Sequence, residues 1–267
     1  MNNVIFAMSL TLLAGLSTGV GGIVVLFSKR TNTKFLSVCL SFSAGVMLYI
    51  SFAEILLEAF ETLEDAYGNA AGYLITTASF FAGIALMAVI DKFLPHGDEV
   101  TELRGKNKTN DDAELKRTGV MSAIAVAIHN FPEGFITFIA AMHDPALGVA
   151  VAIAIVIHNI PEGISMAAPI YYSTGSKLKA LGVSVVAGLA EPLGGLLAWL
   201  LLRRIFTDAE PVFGIAFAVV AGIMVFVSIH KLLPAAQKYG KHHLVMKWLF
   251  SGMAVMAISL VALEFVF

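Results

Sequence analysis

Two copies of one hexapeptide carry the side chains capable of chemistry: His129-Asn130-Phe131-Pro132-Glu133-Gly134 and His158-Asn159-Ile160-Pro161-Glu162-Gly163. Each lies inside an apolar run long enough to cross a bilayer. Hydrocarbon holds no water to solvate a carboxylate or an imidazole, so ionisable groups at that depth mark a pathway or a functional site. Residues i and i+4 share one face of a helix. His129 therefore projects with Glu133, and His158 with Glu162, and each pair can grip one cation. Asn130 and Asn159 stand about 100° round the helix and offer a neutral amide oxygen to an adjacent position. The proline of each copy lacks an N–H, which frees the carbonyl of Ile128 or Ile157 and is expected to kink the helix. A freed carbonyl at membrane depth is tolerated where it is buried in protein or lines a cavity.

A third carboxylate keeps the same interval, since Glu133, Glu162 and Glu191 are spaced 29 residues apart. Glu191 also precedes a proline, in Gly188-Leu189-Ala190-Glu191-Pro192-Leu193-Gly194. Two divalent cations would balance three carboxylates. Imidazole and carboxylate without thiolate suit zinc, iron(II), cobalt and manganese rather than copper(I). Such ligands lose protons to bind metal, so occupancy is expected to depend on pH. The plainer alternative is a polar helix-packing network without a ligand. Two repeats, a third glutamate and a proline beside each argue against it.

These motifs need spanning helices to hold them. Of 267 residues, 58% are hydrophobic and 13% charged, against about 25% charged in soluble domains. Apolar runs of spanning length occur at about 4–28, 35–57, 71–94, 119–142, 145–172, 178–202, 211–233 and 244–266. The expected fold is an all-α membrane protein of eight transmembrane helices forming a single polytopic domain. Helices four and five are joined by the short His143-Asp144-Pro145 turn and run antiparallel. Like motifs on antiparallel neighbours imply a pseudo-two-fold inverted repeat around helices four and five, an arrangement that places substrate sites at the repeat interface.

Charge placement supports the count. With the N-terminus outside, every basic residue except Arg203 and Arg204 falls on the cytoplasmic side or its boundary, a bias that fails if one helix is added or removed. Both termini are expected outside the cell (inner) membrane. The first run has no basic residue before it and Lys29-Arg30 after it, the reverse of a signal peptide. The stretch 95–118 is polar and mixed in charge, and is expected to be a disordered cytoplasmic variable loop.

The function classes narrow accordingly. No Gly-rich Lys-Ser/Thr loop points to nucleotide hydrolysis, and no basic stripe points to nucleic acid. The single cysteine, Cys39, excludes an internal disulfide and a thiolate metal site. The small residues Gly15, Gly19, Gly22, Gly182, Gly188, Gly194 and Gly195 read as close helix packing. Glu58, Glu61, Glu64 and Asp65 read as a solvated outer loop, Asp91 with Lys92 as an interfacial pair, and His96, His143-Asp144 and His242-His243 as turn or interface residues. An intramembrane zinc-dependent hydrolase is the rival reading. A catalytic zinc needs an open position and a general base, whereas this chain lacks His-Glu-x-x-His and its symmetric donors suit passage better. A proton or sodium carrier would not require two histidines each followed by Glu at i+4.

The doubled hexapeptide, the Gly-Leu-Ala-Glu of helix six, the eight helices and the variable loop after helix three resemble the ZIP (Zrt-, Irt-like) family of divalent metal transporters, most closely its bacterial ZupT branch. The resemblance implies a binuclear site. One metal would take His129, Glu133, His158 and Glu162, with Met47 nearby; the second would take Asn130, Glu133, Asn159, Glu162 and Glu191. It implies movement of metal toward the cytoplasm, with one helix bundle sliding against another; zinc is the leading cargo, and ligand type leaves Fe2+, Mn2+, Co2+ and Cd2+ open beside it. No cofactor is required beyond the transported ion. The expected partners are divalent metal ions and the lipid bilayer, and a homodimer stays open beside a monomer. Some relatives carry Gln and Asp where this chain has His158 and Asn159, which makes the second position here less negative. Helix seven ends Ser228-Ile229-His230-Lys231, where acidic residues are expected in relatives.

Overall fold

A computed structural model describes residues 2–27, 29, 32–93, 108–143, 145–202 and 210–265. The described residues are almost all helical and contain no strand. In chain order they form α1 (Asn2–Leu26), α2 (Thr33–Ile50), a π-helical turn (Ser51–Ile55), α3 (Leu56–Tyr67), α4 (Asn69–Phe93), α5 (Lys108–His143) and α6 (Pro145–Thr174). Then follow α7 (Lys177–Gly188), α8 (Ala190–Leu202), α9 (Glu210–Val227), a second π-helical turn (Ser228–Leu232), α10 (Leu233–Tyr239) and α11 (His242–Glu264). Among the described residues, eight continuous helical stretches are long and apolar enough to cross a membrane, because α2–α3, α7–α8 and α9–α10 each run on as one.

Two of the expected boundaries are corrected. The second span does not stop near residue 57 but continues to Tyr67. Ile55, Ala59 and Leu63 recur every fourth residue and are buried, so one stripe stays in the core while Glu58, Glu61 and Asp65 lie exposed on the helix. An amphipathic helix carries these acids, not a loop. Likewise α5 starts at Lys108, so 108–118 is helix rather than variable loop. Polarity alone suggests disorder there, but Leu115 is buried, Glu114 pairs with Lys238 at 2.6 Å and Arg117 pairs with Asp91 at 2.7 Å. Those tertiary anchors hold the polar turns. His96 and Asp144 lie outside the described residues.

The helices sort into two bundles. α1, α5, α6, α7 and α8 pack on one another, and α2, α3, α4, α9, α10 and α11 form the second group. The bundles meet chiefly where α2 lies on α6 and α9 on α5.

Inside the first bundle two contacts are copies of each other. A Cβ added to Gly163 would overlap the Thr18 carbonyl, and one added to Gly21 would overlap that of Ile160. Gly134 bears the same relation to the Glu191 carbonyl, and Gly194 to that of Phe131. Only glycine permits backbones to come this close. The two contacts share one register, so a pseudo-two-fold axis relates α6–α1 to α5–α8 and places Thr18 where its mate has Glu191.

Both π turns begin with a buried serine that bonds the carbonyl four residues back: Ser51 to Met47 at 2.6 Å and Ser228 to Met224 at 2.8 Å. Serine back-bonding competes with the regular ladder and loosens the helix locally.

Candidate metal centre

α5 and α6 carry the two hexapeptides midway along their length, and both stay helical through Pro132 and Pro161. The chain turns back between them, so the motifs face each other in descending register. His129 therefore meets Glu162, and Glu133 meets His158.

The Nε2 atoms of His129 and His158 each lie 2.9 Å from the same oxygen, Glu133 Oε1. His129 Nε2 is also 3.4 Å from Glu162 Oε1, and the two imidazole centroids are 6.0 Å apart. One donor atom from each of His129, Glu133 and His158 falls within 4.8 Å of the others, and all three residues are buried. Donors about 2.0–2.2 Å from a tetrahedral zinc stand roughly 3.4 Å apart, so the separations of 2.9 and 3.4 Å here would need only a small outward shift to admit one.

The hydrogen bonding shows what these groups are not doing. Glu162 is fully buried, yet neither of its carboxylate oxygens has a hydrogen-bond partner among the described residues. Glu133 Oε2, Glu191 Oε2, the amide oxygens of Asn130 and Asn159, and Nδ1 of both histidines are likewise without one. His129 Nε2 sits at contact distance from two carboxylates without meeting hydrogen-bond geometry. A buried carboxylate without a partner is costly. So dense a set of unpaired oxygens and nitrogens has the chemistry of a cation-binding cage.

The remaining expected residues are placed as follows. Asn159 Nδ2 donates to Glu191 Oε1 on α8 and, at 3.1 Å, to the Ala14 carbonyl on α1. Asn130 Nδ2 reaches Thr18 Oγ1 on α1 at 3.5 Å. These are the same interaction under the pseudo-two-fold: asparagine to Glu191 on one side, asparagine to Thr18 on the other. Met47 is buried on α2, one turn beyond Ser43, whose hydroxyl donates to the Pro161 carbonyl at 2.7 Å. That bond ties the second bundle to the motif itself.

Sequence reasoning passed over Thr18 and Ser43, because a lone hydroxyl in an apolar helix carries no spacing signal. It also misassigned Asp91. The Asp91 carboxylate takes Arg117 Nη2 and Lys231 Nζ, each at 2.7 Å, with His230 Nε2 at 3.4 Å. Arg117 additionally donates to the Asp91 carbonyl. Lys92 is not among these partners. His242 and His243 are exposed, their rings 6.0 Å apart at the start of α11.

Fold and site together define a polytopic helical membrane protein with a buried cluster of imidazole and carboxylate donors where two antiparallel helices meet. Its sequence matches the family model described as ZIP Zinc transporter over residues 96–260. It is 53% identical to the zinc transporter ZupT of Lysinibacillus sphaericus over 98% of both chains. Identity is 50% to the zinc transporter ZupT of Clostridium perfringens, covering 97% of this chain and 96% of that one, and 49% to that of Streptococcus mutans, covering 95% and 96%. The chain belongs to the ZIP family of zinc transporters, in its ZupT branch.

Proposed function

We propose that this chain carries divalent transition-metal ions, zinc foremost, across the cell membrane into the cytoplasm, and that His129, Glu133, His158 and Glu162 hold the ion in transit. The observation that carries the reading is the Glu133 carboxylate midway between two imidazoles from different helices, beside a Glu162 carboxylate with no hydrogen-bond partner among the described residues. An ion there joins α5 to α6 and neutralises acids that are costly to bury alone. Asn130, Asn159 and Glu191 form a second, adjoining position in which Glu133 and Glu162 act as bridges, and Met47 lends a thioether from the facing bundle.

Both nitrogen and oxygen donors are present and thiolate is absent, so Fe2+, Mn2+, Co2+ and Cd2+ compete with Zn2+ for the same cage. All these ligands except Met47 belong to the first bundle, so sliding of that bundle against the second moves the site as a unit. The termini face outward, which sets the basic residues on the cytoplasmic side. Family membership favours a transporter, and the hydrolase reading finds no support in it.

Radiolabelled zinc uptake into proteoliposomes tests the reading. Uptake falls roughly tenfold or more in Glu133→Ala and Glu162→Ala relative to the unaltered chain. Undiminished uptake in both variants would overturn it.

A further inference from the structure

Away from the metal centre, α5, α6 and α7 leave a crevice of about 560 Å³ on the first bundle. Its walls are Val120, Ile124 and Ala127 on α5, Ile170 on α6, and Val183 and Val186 on α7. Val186 is 69% exposed, so the crevice opens sideways to the bilayer rather than into the core. Gly182 makes it concave: a Cβ added there meets nothing within 4 Å, unlike the other glycines of these helices that read as packing residues.

One end of the crevice carries charge. Lys116 on α5 and Lys179 on α7 both line it. Both are exposed, and neither forms an ion pair among the described residues. Their depth is set by helix rise. Lys116 precedes His129 by thirteen residues and Lys179 precedes Glu191 by twelve, about 18–20 Å along the axis. Half of a hydrocarbon core is roughly 15 Å thick. The two ammonium groups therefore sit at headgroup level if the metal centre is near the midplane. From Lys116 to Ala127 the groove runs about 16 Å, the length of one leaflet's acyl layer.

We propose that this crevice is a binding site for one anionic phospholipid, with an acyl chain along Val120–Ile124–Ala127 and Val183–Val186 and its phosphate between Lys116 and Lys179. Two cations that make no ion pair among the described residues, beside an apolar slot of leaflet length, complement a negative headgroup on a hydrocarbon tail. A neutral lipid would satisfy only the slot. The site lies wholly on α5, α6 and α7, so a lipid bound there braces the three helices that carry both hexapeptides and lead into Glu191. The proposal does not depend on which ion is carried.

The test uses the full chain purified in detergent, with phosphatidylglycerol and phosphatidylcholine of identical acyl chains as probes. Retained lipid is counted by native mass spectrometry, and stabilisation is read as the melting-temperature shift on lipid addition. The unaltered chain retains one phosphatidylglycerol in preference to phosphatidylcholine and melts higher with it. The preference falls about fivefold per lysine in Lys116→Gln and Lys179→Gln. Gly182→Leu, whose Cβ meets nothing within 4 Å, fills the slot and removes retention of both lipids while the protein stays monodisperse. Equal retention of the two lipids by the unaltered chain, or a preference unmoved by the lysine substitutions, overturns the proposal. So does a dimer that Gly182→Leu converts to monomer without change in lipid retention, since a second copy would then occupy the groove.

Discussion

Glu133 lies as close to His158 on the neighbouring helix as to His129 on its own: 2.9 Å in each case, through a single oxygen. The i, i+4 contact follows from the helix period alone. The cross-helix contact follows from the register of α5 against α6, and it turns two separate pairs into one buried cluster. Glu133 should accordingly be the least replaceable donor. Glu133→Gln, which keeps shape but not charge, is expected to lower zinc uptake and bound zinc together by roughly tenfold or more. Metal content of the purified variant, measured beside transport, checks this.

Glu162 offers a sharper contrast. Its carboxylate is fully buried, with His129 Nε2 at 3.4 Å but no hydrogen-bond partner among the described residues, so burying it costs the metal-free chain stability. Glu162→Gln should therefore raise the melting temperature of the chelator-treated chain and abolish the rise that zinc produces. Zinc at a hundred times its dissociation constant stabilises the unaltered chain by about 2.7 kcal/mol. Thermal melts with and without zinc read both effects.

The pseudo-two-fold makes Thr18 the counterpart of Glu191. Its hydroxyl accepts from the Asn130 amide and leaves Asn130 Oδ1 free to face a cation. Thr18→Val is expected to raise the KM for zinc by about two- to tenfold, the worth of one hydrogen bond, with kcat little altered, and Thr18→Ser to restore it. Uptake rates across a zinc titration separate the two constants.

The close backbone approach at Gly134 predicts a stability effect without any change of ligand. A methyl there overlaps the Glu191 carbonyl, whereas one at Gly182 meets open space. Gly134→Ala should cost about 1–3 kcal/mol through forced separation of α5 and α8, and Gly182→Ala close to nothing. Thermal melting of the two variants side by side makes the comparison.

Asp91, in the last turn of α4, binds the bundles together, since Arg117 comes from the first bundle and Lys231 from the second. Their side chains are only 11–15% exposed. Asp91→Asn strands two cations and should destabilise the chain by on the order of 3 kcal/mol, and adding Lys231→Met should recover part of the loss. Melting temperatures of the single and double variants decide it.

Much of this architecture was legible in the residues. Eight apolar runs and the placement of lysine and arginine dictate the spans, because hydrocarbon leaves the backbone no other form here. The glutamate one turn after each histidine declares a shared face. What depends on contacts between distant segments was not legible. The extension of the second span rests on Ala59 and Leu63 finding the core. The helical start of α5 rests on Glu114 and Arg117 reaching Lys238 and Asp91 across the bundle boundary. Charge composition cannot reveal either. The partners of Asp91 were misjudged for the same reason: Lys92 is adjacent in sequence, but the next residue on a helix points about 100° away.

X-ray absorption at the zinc edge, on the purified chain loaded with one equivalent of zinc, addresses the shared cage most directly. Two imidazoles per zinc in the unaltered chain, falling to one in His129→Ala and to one in His158→Ala, is the predicted result. A shell without imidazole, or one that neither substitution changes, would contradict it.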